Sequence, residues 1–290
     1  MNNVFKYLRN LKNLPKSDIM KFGLSTIVYE GEFLDLAKRI KDLAKLYLRY
    51  IDLAVNFALK CNFKIIEVSG LYNNPHEILP PILGQIKEKI KPFDEISYHA
   101  PIRFISLEAM KKCILLGKKL GAKKIVLHPD FLPASPKVLP SHMRYSIGKP
   151  LDIIKLVSFC KKHNLVPCVE NMPSEMPAYN KPEDFDYFVK KGAFLTVDIG
   201  HAATVGIDPV TFVERFGKKV RHVHLQDGLF GMPDEHYALG DGIVDYVKFI
   251  KKLKEIEFND ILILELVSKG DVIKSLNRIK NTSLARLISV

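Results

Sequence analysis

The chain has 290 residues, 47% of them hydrophobic, and a formal charge of +12. That apolar content excludes a disordered chain, and the length fits one α/β barrel of about 250 residues with short additions. Only nine of the 44 basic residues are arginine, which argues against a surface built from rigid phosphate-binding forks; dispersed lysines read as a solvated face with some support for an anionic substrate.

Residues 1–21 carry scattered lysines and precede the first β-branched run, so they are expected to form an amphipathic helical extension packing on the barrel or on a neighbour. Strands are predicted at Phe22–Thr26, Lys64–Val68, Glu95–Tyr98, Lys123–Leu127, Val166–Val169, Phe194–Val197, Val220–Leu225 and Ile261–Leu264. Most are almost wholly apolar, as strands covered by helices outside and packed inside should be. Helices are expected over 32–60, 76–90, 106–120, 150–163, 182–191, 209–216, 243–256 and 271–281, the first with a break near Asp42–Leu46. Gly121 and Gly192 separate helix from strand, Pro182 and Pro209 mark helix starts, and Asp184 and Asp208 are candidate caps. Eight strands, each followed by a helix, imply a single closed (β/α)8 TIM barrel over residues 22–290.

The proline-bearing segment Phe131–Gly148 follows the fourth strand, on the face where barrel active sites lie, and reads as a lid, a dimer contact or an ordered surface loop. The amino-terminal extension and this loop are therefore the candidate homodimer surfaces. No apolar run is long enough to span a bilayer, and the amino terminus lacks the apolar core of a secretory leader. Cys61, Cys113, Cys160 and Cys168 form no CxxC pair and read as buried small hydrophobes. A cytoplasmic location without membrane attachment is expected.

The chemistry gathers at the strand ends. His99 follows the third strand, His128 the fourth, Glu170 the fifth and Asp198 the sixth; His224 ends the seventh and Glu265 follows the eighth. Six successive strands thus deliver an imidazole or a carboxylate to one rim. Burying several carboxylates together is costly unless cations compensate them, so the pattern points to a metal centre. His201, three residues after Asp198, and Asp234 with His236 add three more candidate ligands. Mixed imidazole and carboxylate donors suit zinc, manganese or cobalt better than soft copper.

Tyr98-His99-Ala100-Pro101, Leu127-His128-Pro129, Glu170-Asn171, Asp198-Ile199-Gly200-His201, His222-Val223-His224-Leu225, Asp234-Glu235-His236 and Leu264-Glu265, in this order, resemble the xylose isomerase-like barrel superfamily. The glycine-containing stretch Leu239–Asp245 looks like the turn that leads to the next helix there. Two branches of that superfamily imply different chemistries. Resemblance to the D-tagatose 3-epimerase group implies one divalent ion, zinc or manganese, on Glu170, Asp198, His224 and Glu265. Glu170 and Glu265 would then exchange protons beside the carbonyl of a sugar or sugar phosphate, and His201 would position a hydroxyl. Arg144 and Lys149 are candidate binders of a phosphorylated small molecule. Resemblance to endonuclease IV implies up to three zinc ions and phosphodiester hydrolysis on DNA: His99, His128 and Glu170 at one, Glu170, Asp198, His224 and Glu265 at another with Glu170 bridging, and His201, Asp234 and His236 at the third. Asp130 and Gln226 stand where that second pattern has glycine and asparagine, and no arginine–aromatic cluster marks a DNA groove. Sugar isomerisation or epimerisation is accordingly the leading reading.

Overall fold

The computed structural model describes residues 20–40, 42–70, 79–101, 106–129, 150–176, 178–286 and 288–289. Its strands are β1 (Met20–Ser25), β2 (Ile65–Ser69), β3 (Glu95–His99), β4 (Lys124–Leu127), β5 (Val166–Glu170), β6 (Phe194–Asp198), β7 (Val220–Leu225), β8 (Ile261–Leu264) and a two-residue β9 (Ile288–Ser289). Strands β1 to β8 pair in parallel with their neighbours in chain order, and β1 pairs with both β8 and β2, which closes the barrel. β9 adds to the start of β1 through Met20↔Ile288. Met20 and Lys21, expected at the end of the extension, are the first residues of β1. The rest of that extension, the Phe131–Gly148 loop, Arg144 and Lys149 lie outside the described residues.

The helices are α1 (Glu30–Arg39), α2 (Leu43–Lys60), α3 (Leu83–Ile90), α4 (Leu107–Leu120), α5 (Pro150–Lys162), α6 (Asp186–Lys190), α7 (Ile199–Thr204), α8 (Val210–Phe216), α9 (Tyr246–Glu255) and α10 (Lys269–Lys280). The long first helix is broken where the sequence suggested: Asp42 caps α2 by accepting from Lys45 N. Ser106, Asp245 and Ser268 cap α4, α9 and α10 in the same way, each satisfying an amide donor that the helix leaves unpaired. The Asp245 cap sets α9 three residues later than the periodicity predicts. Asp184 accepts from Lys181 N and Asp208 from Val210 N, so both candidate caps hold amides at turn or helix starts. Over 182–191 a 3-10 turn (Pro182–Phe185) leads into the short α6, where one continuous helix was expected. All four cysteines are buried and none forms a disulfide, and no described helix is long and apolar enough to cross a membrane.

Strand alternation divides the side chains into two sets. Phe22, Leu24, Ile66, Val68, Tyr98, Val169, Leu195, Val197, Val223, Leu262 and Leu264 join the large core between barrel and helices. Ile65, Ile261 and Ile263 form a separate cluster inside the barrel. A Cβ on Gly23 would lie 2.8 Å from Ile263 Cδ1 and from Ile65 Cβ and O, so β1 contributes no side chain at that crowded level. Two residues beyond Ile65 on β2 stands Glu67; His224 of β7 pairs in register with Ile263, and Glu265 directly follows β8. At the opposite, amino-terminal end, the barrel floor is ionic. Lys124 Nζ lies 2.6 Å from Glu95 Oε1 and 2.8 Å from Asp260 Oδ1; Lys21 also pairs with Glu95, and Arg221 with Asp260.

Candidate metal centre

All nine predicted ligands fall on described residues at the carboxyl-terminal end of the barrel. The donor atoms of Glu170, Asp198, His224 and Glu265 lie within 4.8 Å of one another, and those of His99, His128 and Glu170 form a second such group. Glu170 belongs to both. Its Oε1 sits 2.7 Å from His224 Nδ1, whereas Oε2 sits 3.2 Å from His99 Nε2 and 3.0 Å from His128 Nε2. Glu265 Oε2 is also 2.7 Å from His224 Nδ1, so two carboxylates flank one imidazole nitrogen.

The positions of these side chains follow from local rules. Strand β6 ends at Asp198, whose Oδ1 accepts from His201 N at 2.7 Å and starts α7, a helix the hydrophobic pattern did not reveal. That single turn brings His201 back over Asp198. Asn171 holds the Asp198 main chain from both sides, donating to its carbonyl at 2.9 Å and accepting from its amide at 2.8 Å. Gln226 donates to Asp198 Oδ2 at 2.7 Å. The residue that departs from the endonuclease IV pattern thus orients a predicted ligand.

Asp234 and His236 arrive on the loop after β7, which is wound around the buried Asp227. Its Oδ1 accepts from Gly228 N and Val244 N and its Oδ2 from Gly240 N. The glycine turn is required there: a Cβ on Gly242 would fall 2.3 Å from Asp227 Oδ1, and Gly240 has φ +85°. His236 itself has φ +51°, a left-handed conformation costly for a residue with a Cβ. The Asp227–Tyr237 backbone bridge holds it.

Three imidazoles are keyed to the main chain. The Nδ1–H of His99 donates to Ala100 O at 2.8 Å, that of His201 to Asn171 O at 2.7 Å, and that of His236 to Glu265 O at 3.1 Å. A carbonyl can only accept, so each ring keeps Nε2 for the centre, the arrangement typical of metal-bound histidine. His201 Nε2 and His236 Nε2 both face Asp234 Oδ2, at 2.9 and 3.3 Å. His224 is turned the other way, with Nε2 3.1 Å from Glu67 Oε1.

Charge balance supports the same use. Burial resists ionisation of His99, but Glu170, with Glu265 and Glu67 beyond it, lifts its imidazole to about 9. His224 and His201 are likewise raised against burial, the first chiefly by Glu265 and Glu170, the second by Asp198 and Asp234. Burial pushes the Asp198 carboxyl up to about 6 and holds His128 down in its neutral form. Protons on imidazoles therefore neutralise the carboxylates, a role a divalent cation can take over. Glu170 Oε2 and both nitrogens of His128 are buried without a hydrogen bond, although His128 Nε2 and Glu170 Oε2 are close. Such misaligned proximity between good donors fits a shared cation, so the residues present suit the implied metal.

Sequence reasoning missed Glu67. It is fully buried, and its Oε2 accepts from Ser97 Oγ at 3.1 Å and lies 3.0 Å from His222 Nε2, which hydrogen-bonds Ser97 Oγ at 3.3 Å, while Oε1 meets His224. The available signal was a carboxylate inside the apolar run Ile65-Ile66-Glu67-Val68.

Residues 89–284 match the family described as xylose isomerase-like TIM barrel, and the chain belongs to that family. An uncharacterized protein of Methanocaldococcus jannaschii is 26% identical, over 88% of this chain and 87% of its own. The crystal structure of a D-tagatose 3-epimerase-like protein superposes with a TM-score of 0.67 at 24% identity, covering 90% of this chain and 96% of the other. That of IolI with a bound zinc atom gives 0.60 at 16% identity, covering 93% and 100%. At these identities the two structures establish the shared fold.

Proposed function

We propose that this protein is a divalent-metal-dependent isomerase or epimerase of a sugar or sugar phosphate. The observation that carries the reading is the pair Glu170 and Glu265, each 2.7 Å from the same His224 nitrogen, because proton transfer beside a carbonyl needs two positioned carboxyl groups. Glu170, Asp198, His224 and Glu265 would hold the ion, zinc or manganese by the donor set. When bound, the ion polarises neighbouring substrate oxygens and acidifies the intervening C–H. One of the two glutamates takes the carbon-bound proton, and the other returns a proton from the opposite side; the carbon inverts and the carboxyls exchange protonation states. His201, with Nδ1–H committed to Asn171 O, offers Nε2 to a substrate hydroxyl. The resemblance to a D-tagatose 3-epimerase-like structure supports a ketose-sized substrate, and the zinc-bearing IolI structure supports a metal.

The test is deuterium uptake from D2O into ketoses and their phosphates by protein loaded with manganese or zinc. Uptake at the carbon beside the carbonyl, lost in Glu170→Gln, is expected. A Glu170→Gln rate near wild type sinks the assignment, and absence of exchange on every ketose tested rejects it.

One observation favours a second reading. Glu170 Oε2 lies with His99 and His128 while Oε1 lies with the other set, a bridging geometry the one-ion mechanism does not use. Three ions and phosphodiester hydrolysis, as in endonuclease IV, would account for it, with His201, Asp234 and His236 at the third. Cleavage of DNA containing an abasic site by the zinc-loaded protein, without ketose exchange, would select this reading.

A further inference from the structure

Glu67 is fully buried in the barrel, two residues past Ile65 of the apolar cluster that Ile65, Ile261 and Ile263 form. A carboxylate placed there loses several kcal/mol of hydration unless donors surround it, by order of magnitude. Glu67 has three: His224 Nε2, His222 Nε2 and Ser97 Oγ, all on residues fully shielded from solvent. None of the three can turn to water, so the geometry fixes the direction of each hydrogen bond. His222 and Ser97 occupy Oε2, which leaves Oε1 to face His224 alone. A carboxylate only accepts, hence His224 keeps a proton on Nε2; Nδ1, 2.7 Å from both Glu170 and Glu265, carries a proton here by the same rule, and it is the nitrogen freed for a cation that takes that proton's place.

His224 differs in this from the other keyed imidazoles. His99, His201 and His236 donate to neutral carbonyls through Nδ1, whereas His224 donates to an anion through Nε2. A carboxylate behind a ligating histidine fixes its ring and strengthens it as a ligand.

We propose that Glu67, seated by His222 and Ser97, is a positioning residue that makes His224 the strongest nitrogen donor of the centre and so sets its metal affinity. The inference rests on the metal reading above and concerns a residue outside the four ligands proposed there, Glu170, Asp198, His224 and Glu265. Glu67→Gln keeps the shape but supplies an amide with one acceptor oxygen against three donors, so His224 loses its anionic partner.

The test is zinc affinity of wild type, Glu67→Gln and Glu67→Asp, measured by competition with a chromophoric chelator, alongside thermal melts of the metal-free proteins. Glu67→Gln should weaken zinc binding about 10- to 100-fold, and Glu67→Asp, which keeps the charge, should recover part of that loss. The visible spectrum of the cobalt-loaded protein should shift in Glu67→Gln. A purely structural role would lower the melting temperature and leave zinc affinity and the cobalt spectrum unchanged. Glu67→Gln affinity within about threefold of wild type overturns the proposal. Should the variants fail to fold, histidine 15N NMR of the zinc-loaded wild type decides: Nδ1 coordinated with Nε2 protonated supports the proposal, and zinc on His224 Nε2 overturns it. Wild type that takes up no divalent ion refutes instead the metal reading on which it stands.

Discussion

Replacing Lys124 with methionine removes the cation at the centre of the barrel floor. The ammonium is 2.6 Å from Glu95 and 2.8 Å from Asp260, with a side chain only 5% exposed. Removing one partner of a buried ion pair costs about 3–5 kcal/mol, because the remaining charge stays desolvated. Here Lys21 still serves Glu95 and Arg221 still serves Asp260, so the lower end, about 3 kcal/mol, is expected. At roughly 2–4 °C per kcal/mol for chains near this size, the melting temperature should fall by about 6–12 °C. The loss should depend on pH. Burial pushes the Glu95 carboxyl up, but Lys124 and Lys21 outweigh it and hold the group below its usual range. A depressed carboxyl contributes stability above its unfolded value, about 4.3, and loses it as pH falls through the folded value. The difference between wild type and Lys124→Met should therefore be full at pH 7 and shrink in acid. Lys124 itself is raised by Asp260 and Glu95 against burial; its contribution is complete below about 10.4 and disappears as pH rises through the folded value. Denaturant titrations at pH 3.5, 7 and 8.5 measure the effect. A difference below about 1 kcal/mol at pH 7, or one unchanged at pH 3.5, would refute the reasoning.

Glu265→Gln should abolish carbon-bound proton exchange while leaving the fold intact by circular dichroism; normal exchange would remove its assigned role. Metal analysis of His236→Ala separates the one-ion from the three-ion reading: loss of one bound ion supports a third site, and unchanged one-ion stoichiometry argues against it. Metal binding should release protons, since His224 lies above its ordinary value and Asp198 near 6. Apparent affinity should then rise about tenfold per pH unit near neutrality for each proton displaced, and more steeply below pH 6. Calorimetry in buffers of different ionisation enthalpy reads this directly, and a binding heat independent of buffer would contradict it.

The barrel was legible because eight apolar runs alternate with amphipathic helices, and the gathering of the candidate ligands at one rim because chemistry at strand ends is in phase with those runs. Boundaries shifted where side-chain caps overrode periodicity, as at Asp42 and Asp245. Helix α7 escaped because Asp198 starts it by a single side-chain bond rather than by an apolar stripe. Glu67 and Lys124 were hidden for another reason. Each becomes interpretable only through cross-strand register, Glu67 beside Ser97 and Lys124 opposite both Ser97 and Val166, which one-dimensional spacing does not carry. Gln226 read as a departure from a family pattern, although its amide holds Asp198. Arg144 and Lys149 fall beyond the described residues, and their substrate role stands as a proposal.

The carbonyls that hold His99, His201 and His236 belong to Ala100, Asn171 and Glu265. Every amino acid supplies a carbonyl at its position, so mutation of Ala100 or Asn171 would leave the accepting oxygen in place. The aim of these rings is stored in backbone path rather than in residue identity. For these three rings the direction of the nitrogen donor survives substitution of the residue that accepts from it, whereas His224 and Asp198 depend on the side chains of Glu67, Asn171 and Gln226.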